Sequence, residues 1–274
     1  MAETCYRHPD RETRVSCSSC GRPICPDCMT PTPVGMRCPD CMRQRTKVVQ
    51  GVSGGGQGFW QAPATFILIG LNVIAYLIEI AAGVGGLNNP GGEIVVKYAL
   101  FGPSVAEGEW YRLVTSGFLH ASLIHIGFNM LLLFFLGRLL EPALGTPRFV
   151  VLYFASLLAG SLGVLVLDPN ALTLGASGAI FGLAGATFVI ARGRGMDAIA
   201  SQIGFLIVFN LVFSFTISGV SIGAHLGGLV GGVLCALAIV AGERGFFGRR
   251  RFQAELGIMV LIGIVSVVGA LAIA

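Results

Sequence analysis

From Pro63 to the end the chain is apolar almost without interruption, broken only by short polar stretches. A helix that crosses a bilayer needs about 20 mostly apolar residues. Seven segments meet that requirement, at roughly 63–82, 119–140, 149–167, 174–191, 198–218, 220–241 and 256–274. The breaks carry turn chemistry, as at Asp168-Pro169-Asn170 and Glu141-Pro142. The stretch from Gly83 to Ser116 is much longer than the other breaks, and loops of that length are usually functional or disordered. Residues 1–47 are polar, and 48–62, with the glycines of Gly51 to Gly58, read as a flexible linker. The expected fold class is an all-α polytopic membrane protein. Its parts are a polar module at 1–47, the linker at 48–62, a six-span core at 63–241, a basic loop at 242–255 and an additional C-terminal helix at 256–274.

Composition agrees. Apolar residues make up 54% of the 274 and charged residues 12%, about half the charged share of a typical soluble domain. Mean hydropathy is +0.79, so most of the chain cannot face water. The net charge is only +4 and is confined to short stretches, which argues against a nucleic-acid-binding surface. The start of the chain shows no cleavable signal peptide pattern. Lys and Arg stay on the cytoplasmic side of a membrane. Counting spans from a cytoplasmic start puts sixteen of the eighteen basic residues inside, leaving Lys97 and Arg112 outside. Arginine outnumbers lysine sixteen to two, which hints at a GC-rich genome. The expected location is a bacterial plasma membrane with the amino terminus in the cytoplasm.

Seven of the eight cysteines lie in the polar module. Their spacing is Cys5-x2-His8, Cys17-x2-Cys20, Cys25-x2-Cys28 and Cys38-x2-Cys41. Four two-ligand hooks supply eight ligands, enough for two tetrahedral zinc ions. A disulfide framework is disfavoured, because the region faces a reducing compartment and one hook contains His. So short a segment with so few apolar residues also needs a metal to hold a fold. The region resembles the B-box and related cross-braced zinc fingers. That resemblance implies that the first and third hooks share one ion and the second and fourth the other, and that the module binds a cytoplasmic protein partner. Cys235 lies in the sixth span and reads as a small apolar packer.

Polar groups at membrane depth are costly, so each calls for a functional hypothesis. The informative ones are His125 and Asn129 in span two, Ser177 in span four and His225 in span six. All three spans run from outside to inside. At 1.5 Å per residue the four groups lie between about 5 and 10 Å below the outer helix ends. His125 and Asn129 are spaced i, i+4 and share a helix face. The glycines around Ser177 (Gly175, Gly178, Gly182, Gly185) and after His225 (Gly227, Gly228, Gly231, Gly232) make small-xxx-small faces that let helices approach closely. A serine hydroxyl could then reach His225, as general-base activation requires. Taken singly, such a Ser usually bonds its own helix and such a His is usually structural; the case rests on their convergence.

The segment from about Trp110 to Gly232 resembles the rhomboid intramembrane serine proteases. The resemblance rests on Glu109-Trp110-Tyr111-Arg112, Phe118-Leu119-His120, His125-Ile126-Gly127-Phe128-Asn129-Met130, Gly175-Ala176-Ser177-Gly178 and Ala224-His225-Leu226-Gly227-Gly228. Gly137 and Glu141 also fit. It implies Ser177 as nucleophile, His225 as general base, and His125, Asn129 and the backbone N–H of Ser177 as oxyanion donors. Gly175 would allow the bend before the serine, and Phe181 would pack on the base. No acidic third member is expected. The resemblance further implies transmembrane-helix substrates cut near the outer boundary of the bilayer, with an active site facing outward. Trp110 and Arg112 would brace the outer loop. The helix at 256–274 matches the six-plus-one arrangement, and the cytoplasmic zinc module would serve recruitment or regulation.

Other marked residues read blandly. Arg138 and Glu141 are expected to pair as i, i+3 neighbours, Asn72 and Glu79 to bond neighbouring helices or sit near an interface, Asn210 to bond within the bundle, and His120 to give structural support. A catalytically silent rhomboid-like protein that binds membrane clients is the alternative function. Silent members typically lose Ser or His, and this chain keeps both. A solute transporter would show internal repeats and a midplane site, and neither is visible.

Overall fold

The computed structural model describes residues 3–32, 35–43, 61–83, 85–216 and 219–274. The chain divides into two compact units, Met1–Gly56 and Gln57–Ala274. Residues 48–60 of the expected linker lie outside the described residues.

In the first unit, strand β1 (Glu3–Cys5) pairs antiparallel with β2 (His8–Thr13). Strand β3 (Thr30–Thr32) pairs with β4 (Gly35–Arg37), and a short helix α1 (Pro39–Arg43) follows. The interior consists of Cys5, Cys17, Cys25, Cys28, Cys38 and Cys41 around Ile24. Thiol groups therefore occupy the positions that leucines would fill in an ordinary small domain.

In the second unit, α2 (Pro63–Ala82) is followed by a structured connection. It contains α3 (Glu93–Tyr98), α4 (Gly102–Ala106) and α5 (Arg112–Thr115). Then come α6 (Leu123–Leu144), α7 (Thr146–Leu167), α8 (Ser177–Gly193), α9 (Asp197–Thr216), α10 (Ile222–Glu243) and α11 (Arg251–Ile273). Six of these, α2, α6, α7, α9, α10 and α11, are long and apolar enough to cross a membrane. The protein is an integral membrane protein. The expected fourth span is shorter than predicted. At 17 residues, α8 is about 25 Å long, less than the roughly 30 Å of a bilayer's hydrocarbon core.

Helix boundaries also differ from the sequence expectation. Pro142 does not end α6, because a proline in the last turn disturbs few of the remaining bonds. The chain turns instead at Gly145, whose φ of +83° suits glycine, and α7 starts at once with Pro147 in its first turn. The expected basic loop at 242–255 is mostly helical. Helix α10 runs to Glu243 and α11 begins at Arg251, five residues before the first apolar residue that marked it. Charge pairing explains this. Glu255, fully buried, accepts from Arg148 Nε at 2.5 Å and from Arg251 Nε at 2.6 Å, while Glu243 binds Arg194 at 2.6 Å. Neutralised in pairs, these residues can sit in helical turns at one end of the bundle.

Helices α7, α8 and α10 form the centre and meet backbone to backbone. A Cβ placed on Gly228 would lie 1.9 Å from the Gly178 carbonyl oxygen, and one on Gly232 would lie 2.0 Å from that of Gly182. Larger side chains would hold the helices further apart. By contrast, of the twenty described residues of α9 only Ala200 and Ser214 are buried.

One further expectation needs correction. Glu141 does not pair with Arg138. Its carboxylate caps the start of α2, accepting from the N–H groups of Ala64 and Thr65 at 3.0 and 2.8 Å and from the Thr65 hydroxyl at 2.7 Å. The positive end of a helix dipole and unsatisfied N–H groups make that the better partner. Arg138 lies over the Phe134 ring. In α2, Asn72 donates to its own helix at Leu68 O, while Glu79 does reach a neighbour, accepting the His120 N–H at 3.2 Å. Asn210 likewise donates to Leu206 O of its own helix. Cys235 is fully buried among apolar neighbours, as expected.

Candidate active site and metal clusters

The nucleophile candidate sits where a loop becomes a helix. Thr173 and Leu100 exchange two backbone hydrogen bonds of 2.8 Å, and the Gly175 N–H donates to Ser116 O at 2.9 Å. The loop leading to α8 is thus pinned to the connection that holds α3–α5. Gly175 has φ of +128°, and a Cβ there would lie 2.9 Å from His125 Nε2. Both the bend and the space require glycine. Ser177 is the first helical residue, not a residue one turn inside as the sequence suggested. Its depth comes from the shortness of α8. Gly178 rests against Gly160, which lies seven residues before the end of α7 and therefore about 10 Å below it.

His225 stands in the first turn of α10, which Ser221 caps by accepting the Ala224 N–H. Its Nε2 is 2.8 Å from Ser177 Oγ, and its ring stacks on Phe181 with centroids 4.1 Å apart. The residue is 7% exposed. Its second nitrogen has a partner that the sequence did not suggest: Ser214 Oγ of α9 lies 2.7 Å from Nδ1. A search for an acidic third member could not find a serine. Its position one turn after Asn210 in an apolar helix was the available signal.

His125 and Asn129 both lie in the first two turns of α6, closer to its start than expected because α6 begins at Leu123. The Ala121 N–H donates to His125 Nδ1 at 3.4 Å. The proton of the neutral ring is therefore on Nε2, the atom against Gly175. Asn129, 5% exposed, donates one N–H to His125 O at 3.1 Å, which leaves its second N–H for another acceptor. The first-turn N–H groups of α8 have no intrahelical acceptor, and no side chain caps them. The arrangement offers a hydroxyl beside an imidazole, next to N–H donors at the positive end of a helix.

A Rhomboid domain model matches residues 107–242. The chain carries a rhomboid domain. Over 204 residues it is 35% identical to the rhomboid protease GluP of Bacillus subtilis, covering 73% of this chain and 39% of that protein. It is 37% identical over 87 residues to Rhomboid-like protease 3 of Toxoplasma gondii, covering 32% of this chain and 33% of that protein. Over 82 residues it is 43% identical to RHOMBOID-like protein 1 of Arabidopsis thaliana, covering 30% and 21%. The chain thus spans about two fifths of the length of GluP. Within the rhomboid domain Arg112 braces the connection between α2 and α6, donating to Glu109 at 2.6 Å and to Val96 O and Ala99 O at 2.7 Å. That guanidinium holds the Glu109 carboxyl below the usual carboxylate range. Trp110 is 62% exposed and does not share the bracing. His120 is fully buried and supplies its N–H to Glu79, with its ring edge-on to His125.

In the amino-terminal unit the eight expected ligands gather into two groups, Cys5, His8, Cys25 and Cys28, and Cys17, Cys20, Cys38 and Cys41. That is the cross-braced pairing. His8 Nδ1 lies 3.8, 3.3 and 3.5 Å from the sulfurs of Cys5, Cys25 and Cys28, and Cys20 lies 3.8 Å from Cys38. A tetrahedral zinc with Zn–S bonds of about 2.3 Å has ligand-to-ligand edges of about 3.8 Å, so the donors fit such an ion. Burial pushes the Cys5 thiol up, but the N–H groups of Arg7 and Cys25 and the side chain of His8 outweigh it and leave it at about 6. Cys17 likewise falls to about 6, where the N–H groups of Cys38, Ser19 and Cys20 overcome burial. Burial and its neighbours Cys5 and Cys25 push Cys28 up to about 11. Each group has a thiolate available, and a cation relieves the repulsion among the rest.

Proposed function

We propose that the chain is an intramembrane serine endopeptidase that hydrolyses peptide bonds of transmembrane-helix substrates through Ser177 and His225. The observation that carries this reading is the 2.8 Å contact between Ser177 Oγ and His225 Nε2 at the uncapped start of α8. His225 takes the hydroxyl proton as Oγ bonds to the substrate carbonyl carbon. The carbonyl oxygen gains the charge, and three donor sets face it: the α8 N–H groups, the Nε2–H of His125, and the second N–H of Asn129. Preorganised donors of this kind usually give the largest single contribution to catalysis. His225 then gives its proton to the leaving amine, and water repeats the sequence on the acyl-enzyme ester.

The site lies at the end of the bundle away from the basic cluster of Arg148, Arg194 and Arg251. Basic residues mark the cytoplasmic side, so the reading puts the site toward the outer face of a plasma membrane. The two cysteine groups are proposed to hold one structural Zn2+ each, fixing a module too poor in apolar residues to fold alone.

The test is cleavage of a labelled single-span helix by the purified protein, beside Ser177→Ala and His225→Ala, together with labelling by a fluorophosphonate probe. Cleavage and labelling by the parent alone support the reading. A parent that neither cuts nor labels at Ser177 refutes it and leaves a client-binding protein. Elemental analysis of the same preparation should find two zinc ions per chain.

A further inference from the structure

The residue that fixes the catalytic base is on a different helix from either member of the dyad. Ser214 is 4% exposed, in the last turn of α9. Its Oγ lies 2.7 Å from His225 Nδ1 and 2.7 Å from the Asn210 carbonyl oxygen. Only one set of proton positions satisfies all of these contacts. If Nε2 is to accept from Ser177, the neutral imidazole carries its proton on Nδ1. Nδ1–H then donates to Ser214 Oγ, and the single Ser214 proton goes to Asn210 O. The chain Ser177 to His225 to Ser214 to Asn210 thus has one donor and one acceptor at every step.

We infer that Ser214 is a positioning residue that holds His225 in the tautomer whose Nε2 can take the Ser177 proton. The inference rests on the dyad reading above and names the group that makes the dyad competent. When His225 is protonated during attack, the Nδ1–H bond to Ser214 becomes charge-assisted and strengthens, so it contributes more to the transition state than to the ground state. Without an acceptor, the buried Nδ1–H loses its partner, and the other tautomer, with its proton facing Ser177, competes. The acceptor belongs to α9, the helix with the fewest buried side chains of the bundle's long helices. Displacing α9 from α10 therefore withdraws it from the base.

The experiment compares Ser214→Thr with Ser214→Val, two side chains of the same shape that differ by the hydroxyl. The readouts are the rate of Ser177 labelling by a fluorophosphonate, kcat and KM on a single-span helix, and the 15N shifts of the His225 ring, identified by their loss in His225→Ala. The valine variant should label about 10- to 100-fold more slowly, as expected for loss of a bond to a charged group. Its kcat should fall with KM little changed, and its His225 nitrogens should lose the Nδ1–H pattern. The threonine variant should stay near the parent on all three. Equal labelling and an unchanged tautomer in the valine variant would overturn the inference while leaving the dyad intact. If the parent itself fails to label at Ser177, the dyad reading falls and this inference with it. Equal melting temperatures for the two variants separate loss of the hydroxyl from loss of packing.

Discussion

Adding a single methyl group at Gly228 should disable the site without touching it. Gly228 lies one turn after His225, and Gly178 directly follows Ser177, so their contact sets the spacing of α8 and α10 at the dyad. The Cβ of alanine at position 228 would lie 1.9 Å from Gly178 O and 2.6 Å from its carbonyl carbon. Both obstacles are backbone and cannot rotate away. Reaching an ordinary C···O contact of about 3.3 Å requires a displacement of about 1.4 Å. Passed to the dyad in full, that opens the Ser177–His225 contact from 2.8 Å to as much as about 4.2 Å, beyond hydrogen bonding.

Overpacking of this kind costs about 1–3 kcal/mol, so the variant should still fold. A misplacement of about 1 Å in a catalytic group can cost about 10²-fold in rate. Gly228→Ala should therefore melt only a few degrees lower in detergent but label with fluorophosphonate about a hundred times more slowly. Gly257→Ala is the control, since a Cβ there meets nothing within 4 Å and alanine favours the helix. A Gly228→Ala protein that labels at the parent rate would refute the claim that backbone contact sets the dyad distance.

Glu255→Ala should be costlier to the fold than to the chemistry. It leaves Arg148 and Arg251 facing each other without their shared carboxylate, and breaking such a pair by removing one partner costs about 3 kcal/mol, the low end because Arg251 is 40% exposed. The melting temperature should drop clearly below that of the parent, at least as far as in Gly228→Ala, while the labelling rate of the folded fraction stays within a few-fold of the parent; a thermally neutral variant would show that the pairs contribute nothing. A strong zinc chelator should release two zinc ions and unfold the amino-terminal unit, read as new proteolysis sites within residues 3–43. Because that unit is compact in its own right, Ser177 labelling should persist, and its loss would show that the unit supports the membrane domain.

The helices were visible in the sequence because apolar runs of bilayer length are rare outside membrane spans. The meeting of Ser177 and His225, 2.8 Å apart, was legible too, because both are costly at membrane depth and both are flanked by glycines. Partnerships decided in three dimensions were not. Glu141 has Arg138 at helical spacing, yet the open N-terminus of α2 lies across the bundle and wins. Arg251 and Glu255 read as loop residues because charge interrupts a hydropathy run, and only the partners on α7 and α10 make them helical. Ser214 carries no mark in the sequence beyond being polar and one turn after Asn210 in an apolar helix. Its meaning comes from α9 lying against α10, a contact between segments that a local pattern does not encode. In the cysteine module spacing alone picked out the eight residues that gather into two groups, while the pairing of hooks came from resemblance.

The shortness of α8 links these observations. A helix long enough to cross the bilayer would have carried Ser177 near its surface or left it inside the helix, with its N–H bonded to a preceding carbonyl. Starting the helix at Ser177 does two things at once. It lowers the hydroxyl to the level of Gly160, about 10 Å from the end of α7, and it leaves the first-turn N–H groups unbonded beside it. The connection that replaces the missing turns must then be held, because irregular backbone is tolerated at membrane depth only where protein satisfies it. The bonds from Thr173 to Leu100 and from Gly175 to Ser116 do this, and Arg112 in turn ties the carbonyls of Val96 and Ala99 beside Leu100. The long connection between α2 and α6 therefore sets the depth of Ser177, although it contributes no side chain to the contact between Ser177 and His225.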